Sequence, residues 1–301
     1  MSYDAPLVSV IVATYNSCDT IVDTLNSIEG QTYHNIELIV TDDGSKDSTC
    51  DIVSSWMSEH QNRFISCSLI QSAVNTGVSA NLNRGLKAAN GEWIKPFGGD
   101  DLLFPNYVET LLLNSSGADM LLSRHFLFRD DKVILNNGND LSFVNKRPSD
   151  KIAKYFARIN PFFNTPTIMV RRSAYDKIGF YDEDSPYIED VPFVIGFFKA
   201  NLKAKFIDEA LVWYRKGGAS RPDSIETRFI FDKKLLDVFE KYLNVNLKWS
   251  NPIDFIVLFN RKLFSCAVNN NCKILCRLIR SRFNPLKVLS KLLSLISLNS
   301  K

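Results

Sequence analysis

Short apolar runs rich in β-branched residues alternate with segments of helical period through about the first 125 residues, and that alternation admits few folds. Residues 7–13 carry three Val and one Ile and read as a buried parallel strand. Ile21, Leu25 and Ile28 then recur at helical spacing, with Asp19 placed to cap that helix. The pattern continues with strands at 36–40, 64–70, 92–97 and 118–123. Between them it predicts helices around Ile52, Val53 and Trp56, over 77–89 and over 105–113. Strands joined through helices make a doubly wound, mostly parallel α/β sheet with helices on both faces. Farther on, residues 130–147 are polar and Asn-rich and read as a loop, 167–171 and 211–214 as strands, 189–200 as a helix, and the chain from Asp223 as helical. The expected organisation is an α/β domain over 1–222, with a nucleotide-binding half at 1–125 and an acceptor and catalytic half at 126–222, then a helical extension at 223–301.

Ligands of such sheets gather outside the carboxyl ends of the strands. After the first strand stands Thr14-Tyr15-Asn16-Ser17, without the Gly-x-Gly-x-x-Gly of a dinucleotide fold, which argues against a Rossmann dehydrogenase. A Tyr face can stack on a base and Thr or Asn can bond its edge; an ordinary loop is the plainer alternative. Asp42-Asp43-Gly44 follows the second strand. Adjacent carboxylates repel and need a partner, which a base N–H or a ribose hydroxyl could supply. Asp and Gly also favour turns and caps. After the fourth strand comes Gly98-Gly99-Asp100-Asp101. Glycines let backbone approach a ligand closely. Hard carboxylate oxygens suit Mg²⁺ or Mn²⁺ sharing a nucleotide's phosphates. A tight turn leading to a helix begun at Pro105 is compatible with that role. Finally, Glu189-Asp190 opens an apolar helix, either as the ordinary acidic preference of a helix N-terminus or as a general base.

Taken together these segments resemble the family 2 glycosyltransferases of GT-A fold, of the inverting, bacterial surface-polysaccharide type. The resemblance runs over about residues 6 to 220 and rests on residues 8–16, Asp42-Asp43-Gly44-Ser45, Asn75-Thr76-Gly77, Gly91-Glu92-Trp93-Ile94 before Asp100-Asp101, Phe163-Asn164-Thr165-Pro166, Gly179-Phe180-Tyr181-Asp182 and Trp213-Tyr214-Arg215. It implies that Thr14, Tyr15, Asn16, Asp42, Asp43, Asn75, Gly77 and Asn83 bind a nucleotide sugar. Asp100 would be the last acid of the family's Asp-x-Asp motif, holding Mn²⁺ or Mg²⁺ on the diphosphate with Asp101 beside it. Asp190 would be the catalytic base, with Glu189 alongside. Two departures stand out: Gly98 occupies the place of the motif's first acid, and Leu82 stands where an Arg often precedes the Asn-x-Gly segment, here Asn83-Arg84-Gly85.

Charge adds a partner. The net charge of +3 conceals nine Lys/Arg and no acid from Phe255 to Lys301. Residues 253–264 and 274–296 interleave Leu, Ile and Phe with Arg261, Lys262, Lys273, Arg277, Arg280, Arg282, Lys287 and Lys291, and Leu286, Leu289, Leu293 and Ile296 share a helical face. That pattern fits a basic amphipathic helix on an anionic membrane, or a helix packed on the domain with a solvated basic face. Nucleic acid is disfavoured by the acidic body and the absence of a recognised motif. Six cysteines without a Cys-x-x-Cys pair predict free thiols in a reducing compartment and no zinc site. Neither a signal peptide nor a run of about 18 apolar residues is found.

The expectation is an inverting, metal-dependent hexosyltransferase, cytoplasmic and peripheral on the inner face of the plasma membrane. It would move a hexose from a UDP-sugar, UDP-galactose or UDP-glucose first, to a lipid-diphosphate-linked sugar and form a β-glycosidic bond in O-antigen- or capsule-type synthesis. An inactive nucleotide-sugar-binding partner subunit, motivated by Gly98, and a phospho-receiver-like regulatory domain are the alternatives. The long C-terminal half argues against the second.

Overall fold

The computed structural model describes residues 5–129, 132–136, 141–159, 165–185, 188–215, 235–244 and 247–270, with a few isolated positions between and beyond. They form two compact units. The first comprises Met1–Lys146, Asn164–Glu183 and Leu202–Gly218, and the second Arg147–Phe163, Asp184–Asn201 and Ala219–Lys301.

The first unit is built on a nine-stranded sheet. Strands β1 (Val8–Thr14), β2 (Ile36–Asp42), β3 (Ser66–Gln71) and β4 (Trp93–Gly98) are parallel, in the order β3-β2-β1-β4. Helices α1 (Ile21–Glu29), α2 (Thr49–His60) and α3 (Val78–Ala88) connect them. The side-chain period of two sorts the helices onto two faces. Val8, Val10 and Val12 of β1 share a core with Ile21, Leu25 and Ile28 of α1, Trp56 of α2, and Tyr107, Val108 and Leu111 of α4 (Tyr107–Leu113). Ile11 points the other way, toward α3: a Cβ on Gly85 would come 2.3 Å from Ile11 Cγ2. Beyond β4 the sheet turns mixed. Strand β8 (Ile168–Arg171) is antiparallel to β4 and to β6 (Met120–Arg129), β9 (Ala204–Arg215) is parallel to β6, and the two-residue β5 (Leu102–Leu103) is antiparallel to β9. Helix α6 (Arg172–Ile178) follows β8.

Several local expectations need correction. Asp19 does not cap α1. The N-cap is Thr20, which makes no side-chain cap bond; the Ser17 carbonyl takes the amides of Thr20 and Ile21 instead, at 3.0 and 2.9 Å. The stretch 130–147 is not all loop: β7 (Lys132–Asn136) pairs antiparallel with β6. A 3-10 turn follows at Ser142–Asn145, where the Asn145 carboxamide exchanges two hydrogen bonds with the backbone of Phe206, at 2.9 and 2.7 Å. Asn145 thus acts as a sheet edge in a segment whose polarity reads as coil. The same contact lies along β9, three times longer than the expected 211–214 because Lys205, Asp208 and Glu209 hide its first half.

The second unit is helical among its described residues, with α5 (Ser149–Ile159), α7 (Asp190–Lys199), a π-helical stretch Phe239–Leu243 and α8 (Pro252–Asn269). The Asn251 side chain caps α8 through the amides of Ile253 and Asp254, at 3.0 and 3.1 Å, with Pro252 at the first helical position. Asp254 is fully buried and accepts from Arg158 Nε at 2.7 Å. Arg261, read above as part of the basic surface, is buried too. It donates to the Asn244 side chain and the Ala157 carbonyl at 3.0 and 2.5 Å and lies over the Phe239 ring. Residues 216–232 and most of 271–301 lie outside the described residues; of the predicted helical face, Leu286, Leu289 and Leu293 are described as helical, with Leu289 exposed, and Ile296 is not described. The five described cysteines are free.

The tight seat of α3 is testable. Gly85→Ala forces Ile11 or α3 to move, and overpacking of that kind costs about 1–3 kcal/mol. The urea midpoint should fall with little change in slope.

Candidate active site

Three strand ends converge beside Thr14, and each brings polar residues. Asp42, the last residue of β2, is buried. Its carboxylate accepts from the Thr14 hydroxyl at 2.9 Å, from the amides of Gly44 and Ser45 at 3.1 and 2.8 Å, and from the Ser45 hydroxyl at 2.5 Å. Burial alone would push this carboxyl up, but donation from Ser45, Cys50 and Thr14 outweighs it and holds the value below the usual one. The Cys50 thiol is correspondingly pushed up to about 11, first by burial and then by Asp42.

Asp43 turns the other way. It accepts from the Thr76 amide and hydroxyl at 3.0 and 2.8 Å, the Gly77 amide at 2.7 Å and the Arg84 guanidinium at 2.6 Å. The loop before α3 is thereby bound to the end of β2. Asn75 adds a bond from the Gly77 amide at 3.1 Å. Gly77 has φ 93°, and Gly44 has φ 77° with a prospective Cβ only 2.9 Å from the Val74 carbonyl carbon, so both positions need glycine.

The loop after β1 is zipped to the loop after β2. The Asn16 amide donates to Ser45 Oγ at 2.8 Å, the Lys46 amide donates to Asn16 Oδ1 at 2.9 Å, and the Ser17 amide donates to Thr49 Oγ1 at 2.8 Å. Asn16 sits at φ 50°, in the left-handed region that Asn tolerates. Tyr15, 43% exposed, is left as the open aromatic surface of this corner.

Sequence reasoning missed two partners here. Asn81, buried on α3, donates to the carbonyls of Thr14 and Thr41 at 3.2 and 3.0 Å, and its own oxygen accepts from Arg84 at 2.9 Å. An Asn on the sheet-facing side of a helix, beside Leu82 and Leu86, is the signal that could have found it. Arg84, two positions past Leu82, brings its guanidinium to Asp43, Thr76 and Asn81. Asn83, expected among the donor-binding residues, is instead used inside the protein: it donates to the Tyr181 carbonyl and Glu183 Oε1, both at 2.9 Å, and accepts the Tyr181 amide at 3.0 Å.

The turn after β4 lies against the same corner. The Gly99 amide donates to the Ala13 carbonyl at 3.1 Å, and the Gly99 carbonyl accepts from the Thr20 hydroxyl at 2.7 Å. Its two acids part ways. Asp101 is buried, its Oδ1 accepts the Arg215 amide at 2.8 Å, and its carbonyl accepts from Thr24 Oγ1 at 2.9 Å. It caps no helix; α4 begins after Asn106. Asp100 is half-buried, and no described residue other than its own amide donates to its carboxylate. Burial raises the Asp100 pKa, with the Arg215 charge opposing. Asp101 is raised much further, by burial and then by Asp100, against the Arg215 amide and the charge of Lys95.

Lys95 lies wholly inside the sheet. Its ammonium donates to the carbonyls of Pro166, Pro96 and Ile168 and sits 4.7 and 4.8 Å from the ring centres of Phe97 and Tyr107. Burial lowers its pKa.

Among the described residues no group of three or more His, Cys, Asp or Glu side chains is placed to hold a metal ion. The residues present fit a different arrangement. Mg²⁺ and Mn²⁺ in nucleotide sites take one or two carboxylates and complete their shell with phosphate and water. Asp100, a carboxylate that no other described residue donates to, suits that role; Asp101, turned inward, suits it less.

In the second unit, Asp190 opens α7 and Glu189 precedes it. Asp190 Oδ1 accepts the Val191 amide at 2.9 Å. Burial raises the Glu189 pKa, while burial and then the charge of Glu189 raise Asp190 well above the usual carboxylate range. Such a group is a stronger proton acceptor than an ordinary aspartate.

Comparison with known proteins gives a consistent result. The description Glycosyl transferase family 2 matches residues 9–179. EpsE of Bacillus subtilis (strain 168) is 30% identical over 213 residues, spanning 70% of this chain and 73% of that protein. S. aureus TarS 1–349, solved in complex with UDP-GlcNAc, superposes at a TM-score of 0.61 with 20% identity, covering 97% of this chain and 80% of that one. The mannosyltransferase PcManGT from Pyrobaculum calidifontis, solved in complex with GDP-Man and Mn²⁺, superposes at 0.57 with 18% identity, covering 97% and 74%.

Arg84→Ala would leave the buried Asp43 carboxylate without its cation. Hydrogen bonds to charged groups contribute about 1.5–3 kcal/mol, so the melting temperature should drop by several degrees. Arg84→Lys should recover only part of the loss, since one ammonium cannot reach Asp43, Thr76 and Asn81 as the guanidinium fork does.

Proposed function

Because this chain belongs to glycosyl transferase family 2 and has the GT-A fold, we propose that it moves a hexose from a UDP-sugar to a lipid-diphosphate-linked sugar with inversion, in surface-polysaccharide synthesis. The observation that carries the donor half is the Asp100 carboxylate, which takes no donor from any other described residue, at a turn that rests on the end of β1. TarS, solved with UDP-GlcNAc, supports a UDP-linked donor, and PcManGT, solved with GDP-Man and Mn²⁺, supports a divalent cation.

In this reading Tyr15 stacks on the base. Thr14 and Asn16, with Asn75 and Gly77, line the nucleoside pocket. Asp42 and Asp43, expected to contact the base and ribose themselves, shape that pocket by holding its loops. Asp100 binds Mn²⁺ or Mg²⁺, which, when bound, neutralises charge on the departing diphosphate. Asp101 keeps the turn in place. Asp190 takes the proton of an acceptor hydroxyl, with Glu189 raising its basicity. The acceptor oxygen forms a bond to the anomeric carbon as the bond to the phosphate oxygen breaks on the opposite face. An α-linked donor thus gives a β-glycoside, UDP departs, and the proton stays on Asp190. The extension 223–301 holds the enzyme at the anionic inner leaflet; no helix among the described residues is long and apolar enough to cross a membrane.

Gly98 favours one second reading. It carries no side chain where the family usually has an acid, and a Cβ there would come 2.8 Å from Asp100 Oδ1. A nucleotide-sugar-binding subunit without transfer activity would bind UDP yet turn over no donor.

A thermal-shift screen of UDP, UDP-galactose, UDP-glucose, UDP-GlcNAc and GDP-Man with Mn²⁺ tests the donor site. A ligand at 100 times its dissociation constant stabilises by about 2.7 kcal/mol. Asp100→Ala should lose the Mn²⁺-dependent part of that shift, and absence of any shift with every nucleotide would sink the proposal. Asp190→Asn should lower kcat by about 10²–10⁴-fold and leave donor binding intact. A base must be unprotonated, so transfer should be present at high pH and lost as pH falls through a pKa above the ordinary aspartate value. Retained transfer in Asp190→Asn would exclude this residue as the base.

A further inference from the structure

Helix α8 is apolar on two faces. One is buried: Val257, Leu258, Phe264, Ala267 and Val268 lie inside the second unit. The other faces solvent. Phe255 is 47% exposed, Phe259 42% and Leu263 40%, at successive spacings of four, and Trp249 just before the helix is 53% exposed. Phe255 and Phe259 stack at 6.1 Å, and Trp249 meets Phe255 edge-on at 5.8 Å. Residues four apart share a helix face, so these rings form one stripe. The helix does not need them: its inner face and its Asn251 cap already account for its place in the unit.

We propose that this stripe, Trp249, Phe255, Phe259 and Leu263, inserts into the surface of an anionic bilayer. The inference rests on the reading that the C-terminal extension meets such a membrane, and it names the residues that enter it. Charge selects the partner. Between Lys241 and Lys301 the sequence has eleven Lys/Arg, of which Arg261 is buried and Lys241 lies 3.9 Å from Asp184, and one acid, Asp254, which is fully buried against Arg158. Lys248 and Lys262 are exposed beside the stripe. An aromatic face flanked by exposed lysines suits anionic headgroups over an acyl boundary. A second copy of the same surface would bring like charges together. Among the described residues past α8, Asn284 bonds Asn260, on the flank of the helix and off the stripe.

Full-length protein mixed with phosphatidylglycerol-rich or phosphatidylcholine vesicles gives the test. Flotation is expected with the first and much less with the second. Phe255→Ser/Phe259→Ser should bind phosphatidylglycerol vesicles roughly tenfold more weakly or worse, since burial of two rings is lost. Acyl-brominated lipid should quench Trp249 fluorescence, and the quenching should vanish in Trp249→Phe. The double variant should keep its melting temperature and its UDP-induced shift, so that failure here and failure of the nucleotide reading are told apart. Wild-type protein that stays at the bottom of the gradient, unchanged binding by the double variant, or a lipid-free dimer that the double variant dissolves would each overturn the proposal.

Discussion

A parallel strand that stops inside a protein leaves backbone donors and acceptors that must be paired, and the first unit meets that constraint with buried side chains from distant segments. Asp42 gathers the loop after β2 and the end of β1; Asp43 gathers the loop before α3; Asn81 closes the carbonyls of Thr14 and Thr41. Each buried carboxylate accepts several donors, which is the condition for keeping a charge away from water. The candidate site is the surface these clamps leave over. Loops so pinned present Tyr15 and the Asn75–Gly77 backbone in a fixed relation, and fixed loops lose little freedom on binding a ligand.

The second acid pair obeys the same electrostatics with a different division of roles. Two adjacent carboxylates cannot both stay charged and buried without compensation. Asp101 goes inward, held by the Arg215 amide and the field of Lys95. Lys95, itself buried, is stabilised by three carbonyls and two aromatic faces rather than by a direct ion pair. Asp100 stays half-buried, where a cation or a phosphate-bound metal would offset the charge of its neighbour.

The alternating strands and helices of the first 98 residues were legible because their apolar periods are strong and their boundaries are polar turns. Legibility fell where length or chemistry fell below what a period can carry. β5 has two residues; β7 has only a three-residue apolar run in its sequence, 133–135, flanked by a polar stretch; the first half of β9 is charged. Helix α5 follows an Asn-rich segment that draws attention away from Ile152, Ala153 and Phe156, its buried face. At the site, the acid pairs marked the right strand ends, yet their partners were invisible. Arg84 meets Asp43 from 41 positions away and Arg215 meets Asp101 from 114. Local pattern identifies a carboxylate that needs a donor; only the fold says whether protein or ligand supplies it.

That distinction separates Asp43, Asn83 and Asp101 from Asp100. The first three reached their present bonds because a donor or acceptor of the protein itself stands within 3 Å: Arg84 at 2.6 Å for Asp43, the Tyr181 amide at 3.0 Å for Asn83, the Arg215 amide at 2.8 Å for Asp101. Asp100 has no such described partner, and Gly98 beside it supplies none. A Cβ at 98 would meet Asp100 Oδ1 at 2.8 Å, a contact that rotation of the Asp100 side chain relieves. The departure at Gly98 motivates the inactive reading, yet it also changes the electrostatics of the turn. It removes one acid, and with it one repulsive charge beside a pair already pushed toward protonation, so the remaining carboxylate keeps its capacity to ionise when a cation arrives.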